Sequence, residues 1–385
     1  MKILSFVSVL ICIGRSPSEA LWCKDAEGNQ VEWSLIYKLP HRLSQPPSSP
    51  LSSVPKRSKH DGSDYGYIDS RMVADGARNF SSGAKGIFSD EQNPLANSLE
   101  PLFKWSKAKA NRELVYIAYN DQPPVEGEKA SWSSGHTKGV VLFDSDSGLW
   151  LVHSVPKFPE NTFSGNFSFP KNGYVNGQTL LCMSFKSRQL NSIAAHLLNQ
   201  EAHIYESHAP ANFSKLYPNL SLLLSNPSAY NVTQNVTKNV IRGVRGMPFL
   251  AFAKSGSLDD DVYSRAIAPA LGSDLYVSSW QNGEGGKLDS ECSMKFKVLD
   301  VESVSFTFGE SETAWSTKND HSKWAVTRSK STWLCIGSIN RMRSQFKRGG
   351  ETVCLSERTL GKLFQNAVTN HTTCDSDKAV SSREP

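Results

Sequence analysis

Beyond its first residues the sequence lacks a long apolar run: after Gly14 nothing approaches the ~18 uninterrupted apolar residues of a bilayer-spanning helix. It has no Cys-x-x-Cys pair and no Cys/His cluster at zinc-ligand spacing, which argues against a metal site. No group of carboxylates suggests a Mg²⁺ cradle either. Charge of one sign is also scarce, with 42 Lys and Arg against 37 Asp and Glu, a net +5 in 385 residues. That mild excess needs no explanation beyond solubility. At 38% hydrophobic, 10% aromatic and 21% charged, the composition excludes disorder, collagen and coiled coil as overall descriptions.

What is there begins with a processing segment. Met1-Lys2 is a basic start, Ile3 to Gly14 is almost wholly apolar, and Ser18-Glu19-Ala20 supplies small residues at a cleavage site. We read residues 1–20 as a secretory signal peptide, too short in its apolar part to anchor the chain. Six cysteines then remain, Cys23, Cys182, Cys292, Cys335, Cys354 and Cys374. Behind a signal peptide they predict three disulfides, with a pairing that spacing alone does not choose. Asn79, Asn166, Asn212, Asn219, Asn231, Asn235 and Asn370 stand in Asn-x-Ser/Thr sequons. The cluster from Asn212 to Asn235 predicts an exposed crossing between lobes. Two lobes are expected because the mature chain exceeds the roughly 250–300 residues at which single cores stop growing.

Cleavage of the signal leaves a net charge of +4, and protonation of all nine histidines near pH 5 would lift it to +13. A polyanion would then be drawn more strongly.

Strands are predicted at 30–37, 114–119, 139–143, 149–152, 249–253, 274–277, 298–308, 324–326 and 333–336, and helices at 187–200 and 260–271. Ser44 to Tyr65, rich in Ser, Pro and Lys, reads as a long exposed loop. Asp375 to Pro385 reads as a frayed polar tail.

Two segments repeat. Gly135-His136-Thr137-Lys138 leads into Gly139-Val140-Val141 and returns at Trp150-Leu151; Asp320-His321-Ser322-Lys323 leads into Trp324-Ala325-Val326 and returns at Trp333-Leu334. One His-x-Lys means nothing in a chain with this much His and Lys. Two, each with a hydroxyl residue in the middle, a following strand and a Trp-Leu return, predict duplicated lobes with equivalent sites. A period of 2 would put each His and its Lys on one strand face. Two imidazoles and two ammonium groups suit phosphodiester cleavage: one imidazole attacks phosphorus, the other protonates the leaving oxygen, and the lysines balance the developing charge.

At these residues the chain resembles the deoxyribonuclease II family of acid endonucleases, within the phospholipase D superfamily. The likeness is carried by Val31-Glu32-Trp33, Tyr119-Asn120-Asp121-Gln122-Pro123-Pro124, the two His-x-Lys segments, Trp150-Leu151-Val152-His153-Ser154-Val155-Pro156 and Gly177-Gln178-Thr179-Leu180-Leu181-Cys182. It implies an α/β fold of two phospholipase D-like lobes, each a mixed sheet flanked by helices, forming a pseudo-dimer. It places the lobes at 21–210 and 211–374, ahead of the tail at 375–385. It implies DNA hydrolysis at acid pH without a divalent metal or other cofactor, leaving 3′-phosphate and 5′-hydroxyl ends. His136, Lys138, His321 and Lys323 carry over as catalytic residues, with His153 and Asn340 as secondary candidates. The family pairing of cysteines would be Cys23–Cys182, Cys292–Cys374 and Cys335–Cys354.

The chain departs from the superfamily where Phe143 and Arg328 stand in place of an Asp after each His-x-Lys. DNA is the expected partner, membrane insertion is not expected, and the lysosome is the expected destination, with secretion as the alternative. The competing reading is an inactive secreted relative that binds polyanions. It would need positive charge but not two matched imidazoles.

Overall fold

The first half of the chain is built on strands that are apolar almost without interruption, because both of their faces are covered. A computed structural model describes residues 20–41, 62–108, 114–126, 128, 130–131, 133–160, 165–283 and 285–374. In chain order the first half gives β1 (Cys23–Lys24), β2 (Gln30–Val31), β3 (Trp33–Lys38), β4 (Tyr65–Asp69), β5 (Ser81–Ser82), β6 (Val115–Asn120), β7 (Lys138–Phe143), β8 (Ser147–His153), β9 (Gln178–Lys186) and β10 (Ile204–His208). All but β1 and β2 form one antiparallel sheet in the order β10-β6-β7-β8-β9-β3-β4-β5.

The second half gives β11 (Val236–Arg242), β12 (Pro248–Lys254), β13 (Leu275–Ser278), β14 (Val298–Phe308), β15 (Ser311–Ser316), β16 (Trp324–Thr327), β17 (Trp333–Gly337), β18 (Gly350–Ser356) and β19 (Val368–His371). Their order is β11-β12-β18-β17-β16-β13-β14-β15, with β19 on β14 and a parallel pair at β13–β14. The run β3-β9-β8-β7 of the first sheet is thus repeated by β12-β18-β17-β16 in the second.

The α-helices are α1 (Ser70–Ala74), α2 (Pro94–Ala108), α3 (Leu190–Asn199), α4 (Ala211–Leu216), α5 (Pro218–Ser225), α6 (Ala268–Leu271) and α7 (Arg358–Ala367), with short 3-10 and π turns between elements. Alternation decides what each strand buries. Val141 and Phe143 of β7 join the core shared by the two sheets, while Val140 and Leu142 join a separate outer core. In the same way Trp324 and Val326 of β16 face the shared core and Ala325 the outer core of the second lobe. Helix α3 follows β9 and α7 follows β18. Leu190, Ile193, Ala194, Leu197 and Leu198 of the first, with Leu360, Phe364 and Ala367 of the second, are buried in the shared core. Glu357 caps α7, its carboxylate accepting from Leu360 N at 2.7 Å.

Some expectations change. The predicted crossing at Asn212 to Asn235 holds α4 and α5, which bury Phe213, Leu220 and Leu223 in the shared core, so apolar spacing outweighed the sequons as a signal. The loop predicted through Tyr65 ends earlier, since Tyr65 opens β4; residues 42–61 lie outside the described residues, as do residues 1–19 and the tail at 375–385. The predicted helix at 260–271 is a π-helical turn, Tyr263–Ile267, followed by α6.

Three disulfides join Cys23 to Cys182, Cys292 to Cys374 and Cys335 to Cys354. None crosses between the two large sheets. Six of the seven sequon asparagines are exposed; Asn219 is half-buried, its side-chain amide donating to Asn191 O at 3.3 Å. Among the described residues no helix is long and apolar enough to cross a membrane.

Candidate active site

The two His-x-Lys segments sit where strands enter their sheets. Strand β7 starts at Lys138 and β16 at Trp324, so His136, His321 and Lys323 lie on the entry segments rather than within regular strand as predicted. The reason is that the main chain ahead of each strand is held by the other lobe: His136 N donates to Gly349 O and His321 N to Gly177 O, each at 2.8 Å.

In the first half-site His136 is almost fully buried, and its Nδ1 lies 2.6 Å from Ser338 O, a main-chain carbonyl of the second lobe. A carbonyl only accepts, so Nδ1 carries the hydrogen and a neutral ring keeps its lone pair on Nε2. Burial, then Lys138, hold its pKa well below the usual histidine range, with Lys323 and Arg348 adding to the effect and Asp121 opposing it. Lys138, also buried, donates from Nζ to Asp121 Oδ1. Arg348 of the second lobe donates to Asp121 Oδ2 at 3.1 Å, and His136 Nε2 stands 4.0 Å from the same oxygen. Burial alone would raise the Asp121 pKa, but Lys138, His136 and Arg348 bring it well below the carboxylate range.

Asp121 reaches this position because β6 stops at Asn120. The Asn120 amide donates to Val155 O at 3.1 Å and Phe158 O at 3.0 Å, and its side-chain carbonyl accepts from Gln122 N at 2.9 Å. Beneath the site, buried Glu351 takes Lys138 N at 3.3 Å on one oxygen, and Tyr119 OH at 2.8 Å and Gln200 Nε2 at 3.1 Å on the other. Burial pushes its carboxyl up to about 7.

The second half-site is built differently. Lys323 is buried and donates to His321 O at 2.5 Å; among the described residues no carboxylate lies within ion-pair distance of it. Burial first, and Lys138 second, push its ammonium down to about 7. His321 packs edge-on against Trp280, ring centres 4.8 Å apart. Burial, Lys323, Lys138 and Lys38 push it down to about 3. The neighbouring Asp320 points away into the core, accepting from Tyr37 OH at 2.6 Å, Trp315 Nε1 at 2.7 Å and Ser322 N at 2.8 Å.

The four groups therefore share one electrostatic site across the lobes: His136 is depressed by Lys323 and His321 by Lys138. His153 lies behind it, one residue beyond the Gly139–Val152 pair on β8 and so across from Lys138. It is fully buried against Phe158, accepts Val155 N at 3.2 Å on Nδ1, and is pushed down to about 3 by burial and Lys138. Asn340 is buried and lines a small cavity with Lys254, Asp261 and Gln345, two residues after the Ser338 carbonyl that holds His136.

Sequence reasoning missed Asp121, Arg348, Glu351 and Trp280. Asp121 sat in a family-like segment, and the Asp absent after each His-x-Lys was the signal that its charge had to come from elsewhere. Asp144, next to Phe143, holds the β7–β8 turn, its side chain accepting from Asp146 N and Ser147 N at 2.9 Å. The nine-histidine estimate of charge is also corrected. Burial holds His136, His153, His196 and His321 neutral at pH 5, so at most five charges are gained and the net charge stops at +9.

Comparison with known proteins shows the family. The family model for deoxyribonuclease II matches residues 22–374. The chain is 35% identical to mouse (Mus musculus) deoxyribonuclease-2-alpha over 359 residues, 93% of this chain and 95% of the other. It is 36% identical to plancitoxin-1 of Acanthaster planci over 369 residues, 96% of each chain. A solved yeast tyrosyl-DNA phosphodiesterase, 9% identical, covers 68% of this chain and 89% of its own at a TM-score of 0.30, too slight a likeness to carry an argument. The chain belongs to the deoxyribonuclease II family.

Proposed function

We propose that the site hydrolyses DNA phosphodiesters at acid pH through a covalent histidine intermediate, with no divalent metal taking part. As a member of its family the chain is a deoxyribonuclease acting on DNA. The observation that carries the mechanism is the His136 Nδ1–H bond to Ser338 O, which leaves Nε2 as a fixed, neutral nucleophile.

In this reading His136 Nε2 attacks phosphorus and O5′ leaves with a proton from His321. Water then attacks the phosphorus of the adduct and gives its proton to His321. The P–Nε2 bond breaks, releasing a 3′-phosphate and restoring both rings. Lys138 and Lys323 balance the charge on the non-bridging oxygens. The acid requirement follows from His321. Its pKa of about 3 in the free protein keeps it neutral near pH 7, and an entering phosphate offsets the surrounding ammonium groups and raises it. Acid pH then supplies the proton the leaving oxygen needs.

We assign the two lobes to residues 21–210 and 211–374. The signal segment, sequons and disulfides suit the lysosome, with secretion as the alternative. Plasmid nicking at pH 5 in excess EDTA, with His321→Ala as control, tests the reading. Cleavage into 3′-phosphate ends is expected. Activity that needs Mg²⁺, or 5′-phosphate ends, would overturn it.

A further inference from the structure

Two buried lysines outside the His-x-Lys segments occupy matching places. Lys38 ends β3 and Lys254 ends β12, and both are essentially inaccessible to solvent. Lys38 Nζ donates to Tyr174 O and to Asn176 O, the latter at 2.8 Å. Lys254 Nζ donates to Phe346 O and Arg348 O, each at 2.6 Å, with Gln345 O farther off at 3.4 Å. Tyr174 and Asn176 stand three and one residues before Gly177; Phe346 and Arg348 stand three and one before Gly349. Each turn follows a single 3-10 turn, Lys171–Gly173 or Arg343–Gln345.

Gly177 and Gly349 are the residues whose carbonyls accept the main-chain N–H of His321 and His136. Both meet the opposite or neighbouring chain closely: a Cβ on Gly177 would lie 2.5 Å from Asp320 Oδ1, and one on Gly349 would lie 2.0 Å from Gln200 O. A buried ammonium has three donors and must fill them. Here two of them go to carbonyls of an irregular turn, and so fix a carbonyl one residue farther on.

We propose that Lys38 and Lys254 are positioning residues, each clamping in its own lobe the turn that registers the catalytic histidine of the other lobe. Lys38 thus serves His321, and Lys254 serves His136. The proposal rests on the catalytic reading of those histidines, so its test has a readout that does not depend on activity.

The experiment uses the full chain labelled with ¹⁵N-histidine, carrying Lys38→Met or Lys254→Met, with Lys38→Gln and Lys254→Gln as milder variants that keep an amide N–H donor group without the charge. Backbone amide exchange at His136 and His321 is followed alongside kcat and KM on DNA. In Lys38→Met the His321 amide should exchange at least 10-fold faster with His136 unchanged, and Lys254→Met should show the reverse. In both, kcat should fall about 10- to 100-fold with KM within threefold, and the Gln variants should fall between. Lys38→Met should also shift the His321 limb of the pH profile upward. His321 is faced by Lys323, Lys138 and Lys38, and this variant removes one of the three. Exchange that rises at both histidines, or at neither, would overturn the crossed clamp. So would the crossed exchange pattern with an unchanged kcat. If His321→Ala itself stays active while exchange crosses as expected, the catalytic reading fails and the clamp geometry stands. Where a Met variant does not fold, the Gln variant at the same position is held to the same exchange pattern.

Discussion

In the first half-site Lys138 is neutralised by Asp121, which also draws Arg348 across from the second lobe. In the second, Lys323 has a main-chain carbonyl and no ion-paired carboxylate among the described residues, and its pKa drops to about 7. The folds around the two are duplicates, yet the electrostatics are not. A neutral, hydrogen-bonded His136 beside a compensated lysine suits a nucleophile. A His321 beside the uncompensated Lys323 ammonium suits an acid that takes up its proton only when phosphate arrives. In the proposed mechanism duplication supplies two imidazoles, and local charge gives them different work.

The strongest way to break this comparison is to remove either ring. His136→Ala and His321→Ala should each lower DNA cleavage more than 10²-fold, with the double variant little worse, because the two act as a unit. Initial rates on supercoiled plasmid at pH 5 measure this. A variant retaining a tenth of the activity would remove that histidine from the mechanism.

Charge compensation gives the next largest effect, read as stability. Asp121→Asn leaves Lys138 and Arg348 buried without their carboxylate and should cost about 3–5 kcal/mol in denaturant unfolding. Lys323→Met should do the opposite at pH 5. Its folded pKa of about 7 lies below the unfolded value, so the unfolded chain binds the extra proton between those limits and the folded state carries the full cost at pH 7 and below. Removing it should stabilise by on the order of 3 kcal/mol while activity falls. Destabilisation by both variants would mean that the half-sites are electrostatically alike.

Smaller effects lie beneath the site, in the pH dependence of stability. Buried His196 packs against Trp150 and is pushed down to about 3 by burial. The unfolded chain gains that proton first, so stability is lost as pH falls from about 6.5 towards 3. His196→Leu should recover on the order of 2 kcal/mol at pH 4.5 and little at pH 7.5. Glu351 titrates in the opposite sense. Pushed up to about 7, it costs stability as pH rises from about 4.3 to 7, so Glu351→Gln should help at pH 7.5 and change little at pH 4.5. Unfolding midpoints at the two pH values check both signs.

How much of this was legible in the sequence depends on whether the cause was local. The His-x-Lys pairs, the β7–β8 and β16–β17 hairpins and α3 follow from spacing within a few residues, and the sequence predicts them. Arg348 reaches Asp121 from 227 residues away, and neither residue advertises the other. The two helices at 211–225 were hidden because their sequons suggested surface, while Leu220 and Leu223 turn inward. The acid charge was overestimated because composition counts histidines without their burial. His196 did carry a signal, between Ile193 and Leu197 on the apolar face of α3.

The division of labour between the two histidines has one direct test. Wild-type protein is mixed with a 5′-labelled DNA substrate at pH 5, quenched in base within a single turnover, and digested for peptide mass spectrometry. A DNA 3′-phosphoryl adduct is expected on the peptide that contains His136 and none on the peptide that contains His321. An adduct on His321 would reverse the assigned roles and contradict the electrostatic argument that separates the half-sites.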